Sequence, residues 1–241
     1  MNHTTDRHLF DRRLFMAAAI GFPLIVLAGF ARTYYLKPWF AAPPLPSLLV
    51  HLHGLVMTAW VLLFVVQVWF ISSKRIRLHQ RLGYAGVGLG ALVIATGIPT
   101  ALRAAKFGST STPPDIPPLA FLIVPLADIV VFALLFGGAI YYRRKAAAHK
   151  SLMLLTAIAL LPPAVARIPV TSLQALGPIW FLGLPTVVAI GCLVLDARRR
   201  GFVNKVFLTG TVVLIASYVV RLAIMPTEAW TTVATWLVSF V

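Results

Sequence analysis

VHLHGLVMTAWVLLFVVQVWF, residues 50–70, contains no Lys, Arg, Asp or Glu, yet it opens with two histidines and carries Trp60 and Gln67 further on. At about 1.5 Å per residue, a helix of this length crosses the roughly 30 Å hydrocarbon core of a bilayer. The pattern extends over the whole chain. Its 241 residues are 60% apolar and 11% charged, with a mean hydropathy of +0.91, which is more apolar surface than one soluble core can hide. Apolar runs near 14–31, 46–72, 82–104, 118–142, 150–167, 177–195 and 204–224 predict seven transmembrane helices. The tail MPTEAWTTVATWLVSFV is too short for an eighth span, and its Trp230 and Trp236 favour the headgroup level. The expected fold class is all-α: an integral membrane bundle of seven transmembrane helices with a C-terminal interfacial helix capped by Thr227. Short connections and the lack of any linker composition predict one transmembrane domain over 1–241.

A net charge of +15 raises the question of nucleic acid, and the positions of the charges answer it. Fifteen of the 21 Lys and Arg residues fall in four clusters, RHLFDRR, SKRIRLHQR, RRKAAAHK and DARRRGFVNK, at alternate ends of the spans. The other six are Arg32, Lys37, Arg103, Lys106, Arg167 and Arg221, at the opposite ends. By the positive-inside rule the clustered ends are cytoplasmic. The expected partner is therefore the lipid bilayer and not nucleic acid, with the N-terminus cytoplasmic and the C-terminus outside. Asp6, Asp11 and the lack of a small-residue cleavage site predict that the first span is retained. The one cysteine, Cys192, excludes an intramolecular disulfide and a cysteine metal cluster, leaving His, Met and carboxylates as ligands.

Three hairpins share a faint repeat in which a basic turn leads to an Arg at the far end of the following helix: Arg103, Arg167 and Arg221. Recurring positive-inside loops and interface arginines give a plainer account of the same pattern. Gly83, Gly86, Gly90 and Gly97 bare one side of the third span. That side admits either a neighbouring helix or a flat ring.

Polar residues collect at two levels. In the second span His53, Met57, Trp60, Phe64 and Gln67 share one face, which should look into the bundle, while His51 lies about 200° away from His53. Asp128 is the one acid deep in a span, roughly 15 Å from the outer end, and must be protonated, paired or solvated there. Pro23, Pro125, Pro162, Pro163 and Pro185 free backbone carbonyls at similar depth. An outer pocket of His51, His53 and Asp128, with Trp60, Gln67 and Arg167 around it, is one candidate site, and copper, zinc or iron are the ions its imidazole and carboxylate groups suit. At the cytoplasmic end His79 and His149 start spans three and five at equivalent levels. Two such histidines suit the axial positions of haem b, with Arg81 and Lys150 near enough in sequence to hold its propionates. Hydrogen bonds to water or loop carbonyls are the plainer role for these histidines.

LHQRLG followed by HKSLMLLTAIALLPPAVAR resembles the H-x-x-x-G and H-(K/R)-x-x-M…R elements of an uncharacterised family of bacterial multi-span membrane proteins, with His79, Gly83, His149, Met153 and Arg167 on the pattern. HGLVMTAW is more remotely similar to the cytochrome b561 type of haem-binding bundle. The second resemblance implies two bis-histidine haems in transmembrane electron transfer. No second deep histidine faces His53, so one haem is the expectation.

Three function classes follow. The first is a histidine-ligated haem b protein exchanging electrons with quinone or a respiratory-chain protein. The second is a carrier or assembly factor using the outer His/Asp/Arg pocket for a metal or small ligand. The third is a zinc-dependent membrane hydrolase, which needs three converging ligands. The topology has a direct test: with Cys192 replaced, a cysteine introduced at position 110 should react with an impermeant reagent added outside, and one at 146 should not.

Overall fold

The computed structural model describes residues 3–42, 45–109, 112–113 and 115–241, with side chains from Arg12 onward. The described chain is helical, without strands: α1 (His3–Phe30), α2 (Leu48–Ser72), α3 (Ile76–Phe107), α4 (Pro118–Phe121), α5 (Ile123–Tyr141), α6 (Ala146–Ala159), α7 (Pro162–Ala166), α8 (Thr171–Gln174), α9 (Pro178–Arg200), α10 (Lys205–Ile224) and α11 (Glu228–Val238). Seven stretches are long and apolar enough to cross a membrane: Arg12–Tyr35, Leu48–Ser72, Ile76–Phe107, Pro118–Tyr141, Ala146–Ala166, Pro178–Arg200 and Lys205–Ile224. This is an integral membrane protein.

The third helix starts at Ile76, not near 82, so His79 is inside it. Hydropathy marks where the chain enters lipid, whereas Arg, Lys and Gln are good helix formers that carry the helix beyond that level. Prolines break the Ala146–Ala166 span. Leu160 and Leu161 fall back on tight bonds to Ala157 and Ile158, and Pro162 opens α7 at a position that needs no N–H. Consecutive spans alternate in direction, which gathers the turns at 73–75, 142–145 and 201–204 at one end, called here the basic end.

The α6–α7 span forms the centre. Leu152, Leu154, Leu155, Thr156, Ala157, Ile158 and Ala159 are all buried, as a helix apolar on every side must be. Around it pack α1, α5, α9 and α10, with α2 and α3 as an antiparallel pair alongside α5. Small residues set the close approaches. A Cβ on Gly90 would run into the Phe136 ring, and one on Gly29 into the backbone of Ala164. The glycine face of α3 is thus occupied by Leu63 at Gly86, Phe136 at Gly90 and Ile129 at Gly97. It packs helices, which is the first of the two uses its spacing allowed.

Thr227 caps α11 as expected, accepting from Trp230 N at 3.2 Å. The helix lies across the far ends of α3 and α4. Trp230 Nε1 donates to the carbonyls of Leu119 and Ala120, both at 3.1 Å, and Ala234 and Val238 pack with Ala101, Leu102 and Leu122.

Replacing Gly90 with Leu should displace Phe136 and lower stability by about 1–3 kcal/mol. Gly137→Leu, where an added Cβ meets nothing within 4 Å, should change little. Thermal melts in detergent distinguish the two.

Candidate functional site

The turn Ser73–Arg75 reverses the chain through Lys74, whose φ of 58° is left-handed, and sets His79 one turn into α3. On the other hairpin α5 ends at Tyr141 and α6 begins at Ala146, which puts His149 at the same end. The two imidazoles meet. Their ring centroids are 6.2 Å apart, at 74° to one another.

Each ring is held by its Nδ1. The last turn of α5 leaves carbonyls without helical partners, and Arg143 N bonds to Ile140 O instead of reaching back to Ala139. His149 Nδ1 lies 2.8 Å from the Ala139 oxygen. A carbonyl only accepts, so His149 carries its proton on Nδ1 and keeps the lone pair on Nε2. His79 has the reverse arrangement. In the amide orientation that satisfies every partner, Gln67 donates to His79 Nδ1 (2.5 Å) and His79 O (3.2 Å), and its oxygen accepts from Gly83 N (3.1 Å). Neutral His79 therefore carries its proton on Nε2. The pair offers one donor and one acceptor.

Sequence spacing placed Gln67 in the outer pocket; in the structure it belongs to the histidine pair at the basic end. Arg81, two residues from His79, lies about 200° around α3 and is exposed. It faces away from the pair. Lys150 follows His149 and is half-buried.

In the other half of the bundle, Asp128 does not meet His53. Arg221, 1% exposed, donates to Asp128 Oδ1 at 2.5 Å, to Val124 O at 3.2 Å and to Ser217 Oγ at 3.1 Å, and its guanidinium stacks on Tyr218 at 4.9 Å. A guanidinium neutralises the carboxylate and spreads its remaining donors over nearby oxygens, which a neutral imidazole cannot do. His53 bonds instead to Thr96 Oγ1 at 3.0 Å. Because Thr96 spends its own proton on Leu92 O (2.8 Å), His53 Nδ1 is the donor. His51 is exposed, and its backbone oxygen accepts from Tyr34. The expected set His51, His53 and Asp128 is thus divided between three environments. Among the described residues no group of three His, Cys, Asp or Glu is placed to hold a metal ion.

Trp60 is buried edge-on against Phe132 (5.1 Å) and Phe136 (5.2 Å), with no hydrogen-bond partner for Nε1 among the described residues. Arg167 donates to Pro163 O at 2.5 Å and covers the Phe30 ring at 4.9 Å, which ties the end of α7 to α1. Two contributors escaped the sequence reading. Thr96 is one of several hydroxyls in apolar runs, with nothing to single it out, and the Ala139 oxygen is backbone and has no residue signal at all.

No known family model, curated protein or solved structure matches the chain.

Removing one partner of the buried ion pair leaves an unpaired charge, so Asp128→Leu should cost about 3–5 kcal/mol. The double variant Asp128→Leu/Arg221→Met should recover most of that loss. A double-mutant cycle on melting in detergent measures the coupling.

Proposed function

We propose that this membrane protein holds a redox cofactor, haem b, between His79 and His149 and passes electrons to or from quinone or a respiratory-chain protein. The 6.2 Å separation of the two rings carries the reading. Two imidazoles that held one metal between them, each at about 2 Å, would have ring centroids about 6 Å apart. Ligand count points the same way. A bare zinc, copper or iron ion would need three or four protein ligands, whereas a haem would need only two.

The ring separation fits the group, His149 fits it in support, and His79 fits it only with its tautomer reversed. His149 has the Nδ1–H to carbonyl bond that orients a ligating imidazole and raises its basicity. Gln67 sets the condition at His79: ligation through Nε2 requires the proton on Nδ1 and the amide oxygen turned toward the ring. Held by His79 and His149, haem would supply one-electron chemistry there. The bundle contributes orientation of the two rings from separate hairpins, and Gln67 sets the tautomer of one of them. With the clustered charges cytoplasmic in a bacterial inner membrane, the pair lies on the cytoplasmic side and the C-terminus outside.

A second reading rests on the Gln67 amide itself. With its nitrogen on His79 Nδ1, the pair presents an N–H and a lone pair side by side, suited to a small polar ligand held by hydrogen bonds.

Absorption spectra of protein purified in mild detergent from haem-replete cells decide between them. The haem reading expects a Soret band with sharpened bands on reduction, lost in His79→Ala and in His149→Ala and kept in His53→Ala. A colourless protein, or one whose colour survives both substitutions, overturns it.

A further inference from the structure

The outer seam of α2 and α3 is concave. Ala59, Ala85 and Gly88 form a small-residue floor between Leu62, Val66 and Leu92, along an open groove of about 790 Å³. Leu62 and Leu92 are 59% and 50% exposed. The groove has a charged end. Arg81, Ala85, Gly88 and Leu92 follow the four- and three-residue steps of one helix face, so the exposed Arg81 stands at the basic end of the same row. At the same end of the bundle the exposed Trp69 carries the Arg75 guanidinium on its ring at 4.9 Å, an arrangement suited to the headgroup level. Lys74 and Arg77 are exposed on the same turn, and residues 69–85 include no Asp or Glu.

We infer that this groove binds one anionic phospholipid, with an acyl chain along Ala85–Leu92 and the phosphate headgroup between Arg81 and the Lys74–Arg77 turn. The apolar groove alone fits any chain, and the rim selects among headgroups. Four cations on a segment that carries no acid of its own attract a net negative head. The inference is independent of the histidine pair, since Arg81 and His79 lie on different faces of α3.

Gly88 permits a clean test, because a Cβ there meets nothing within 4 Å and a leucine fills the groove without pushing on the fold. The full chain is exchanged into detergent containing equal amounts of phosphatidylglycerol and phosphatidylcholine of identical acyl chains, and retained lipid is read by native mass spectrometry. The parent protein should keep one phosphatidylglycerol at several-fold preference. Arg81→Gln should bring the two lipids to near-equal retention, and Gly88→Leu should remove the retained lipid while the melting temperature stays close to the parent's. Equal retention of the two lipids by the parent overturns the inference, as does full retention by Gly88→Leu. A dimer that Gly88→Leu dissociates also overturns it, by assigning the groove to a second copy of the chain.

Discussion

Inside a bilayer no water is available to a backbone N–H or C=O, and each such group left unpaired costs several kcal/mol. This constraint governs the molecule at every level. It makes the chain helical wherever it is apolar, and it forces the breaks at Pro162 and Pro163 to be closed by tight turns around Leu160 and Leu161. It also recruits side chains where helices end. His149 on the last turn of α5 and Arg167 on the end of α7 each place a side-chain donor on a backbone oxygen. At the histidine pair, the groups that complete the fold are the same groups that set which ring nitrogen is free.

Lipid tails are as apolar as leucine, so association between the spans comes from close packing and a few polar contacts. The close packing is visible where Gly90 admits the Phe136 ring and Gly29 admits the backbone of α7. The ionic contact between spans is Asp128 with Arg221, which joins α5 to α10 in the half of the bundle away from the His79–His149 pair. The two polar centres therefore have different characters. The ion pair is closed, with its arginine donors spread over Asp128, Ser217 and Val124, whereas the histidine pair keeps an N–H and a lone pair uncommitted to the backbone.

Periodicity and composition carried the architecture. Seven apolar runs, the Thr227 cap and the His53 stripe were legible because lipid demands about 20 apolar residues per span and a helix repeats its faces every few residues. The inward turn of His53 and the exposure of His51 follow from that spacing alone. So does the equivalence in level of His79 and His149, since both stand just after basic turns. Hydropathy could not mark the start of α3, because a basic amphipathic turn continues the helix without being apolar.

Partner choice belonged to the tertiary structure. Asp128 had an outer arginine and His53 as candidate partners, at similar depth on different helices, and only the packing of α10 against α5 brought Arg221 to it and left His53 to Thr96. Gln67 shares a stripe with His53 yet serves the opposite end, because its side chain reaches across to α3 at His79 and Gly83. A sequence fixes how far along a span and on which face a polar group stands, since both follow from the rise and turn of one helix. Which groups face each other is set by the rotation and neighbours of whole helices, and that depends on close packing between residues far apart in the chain.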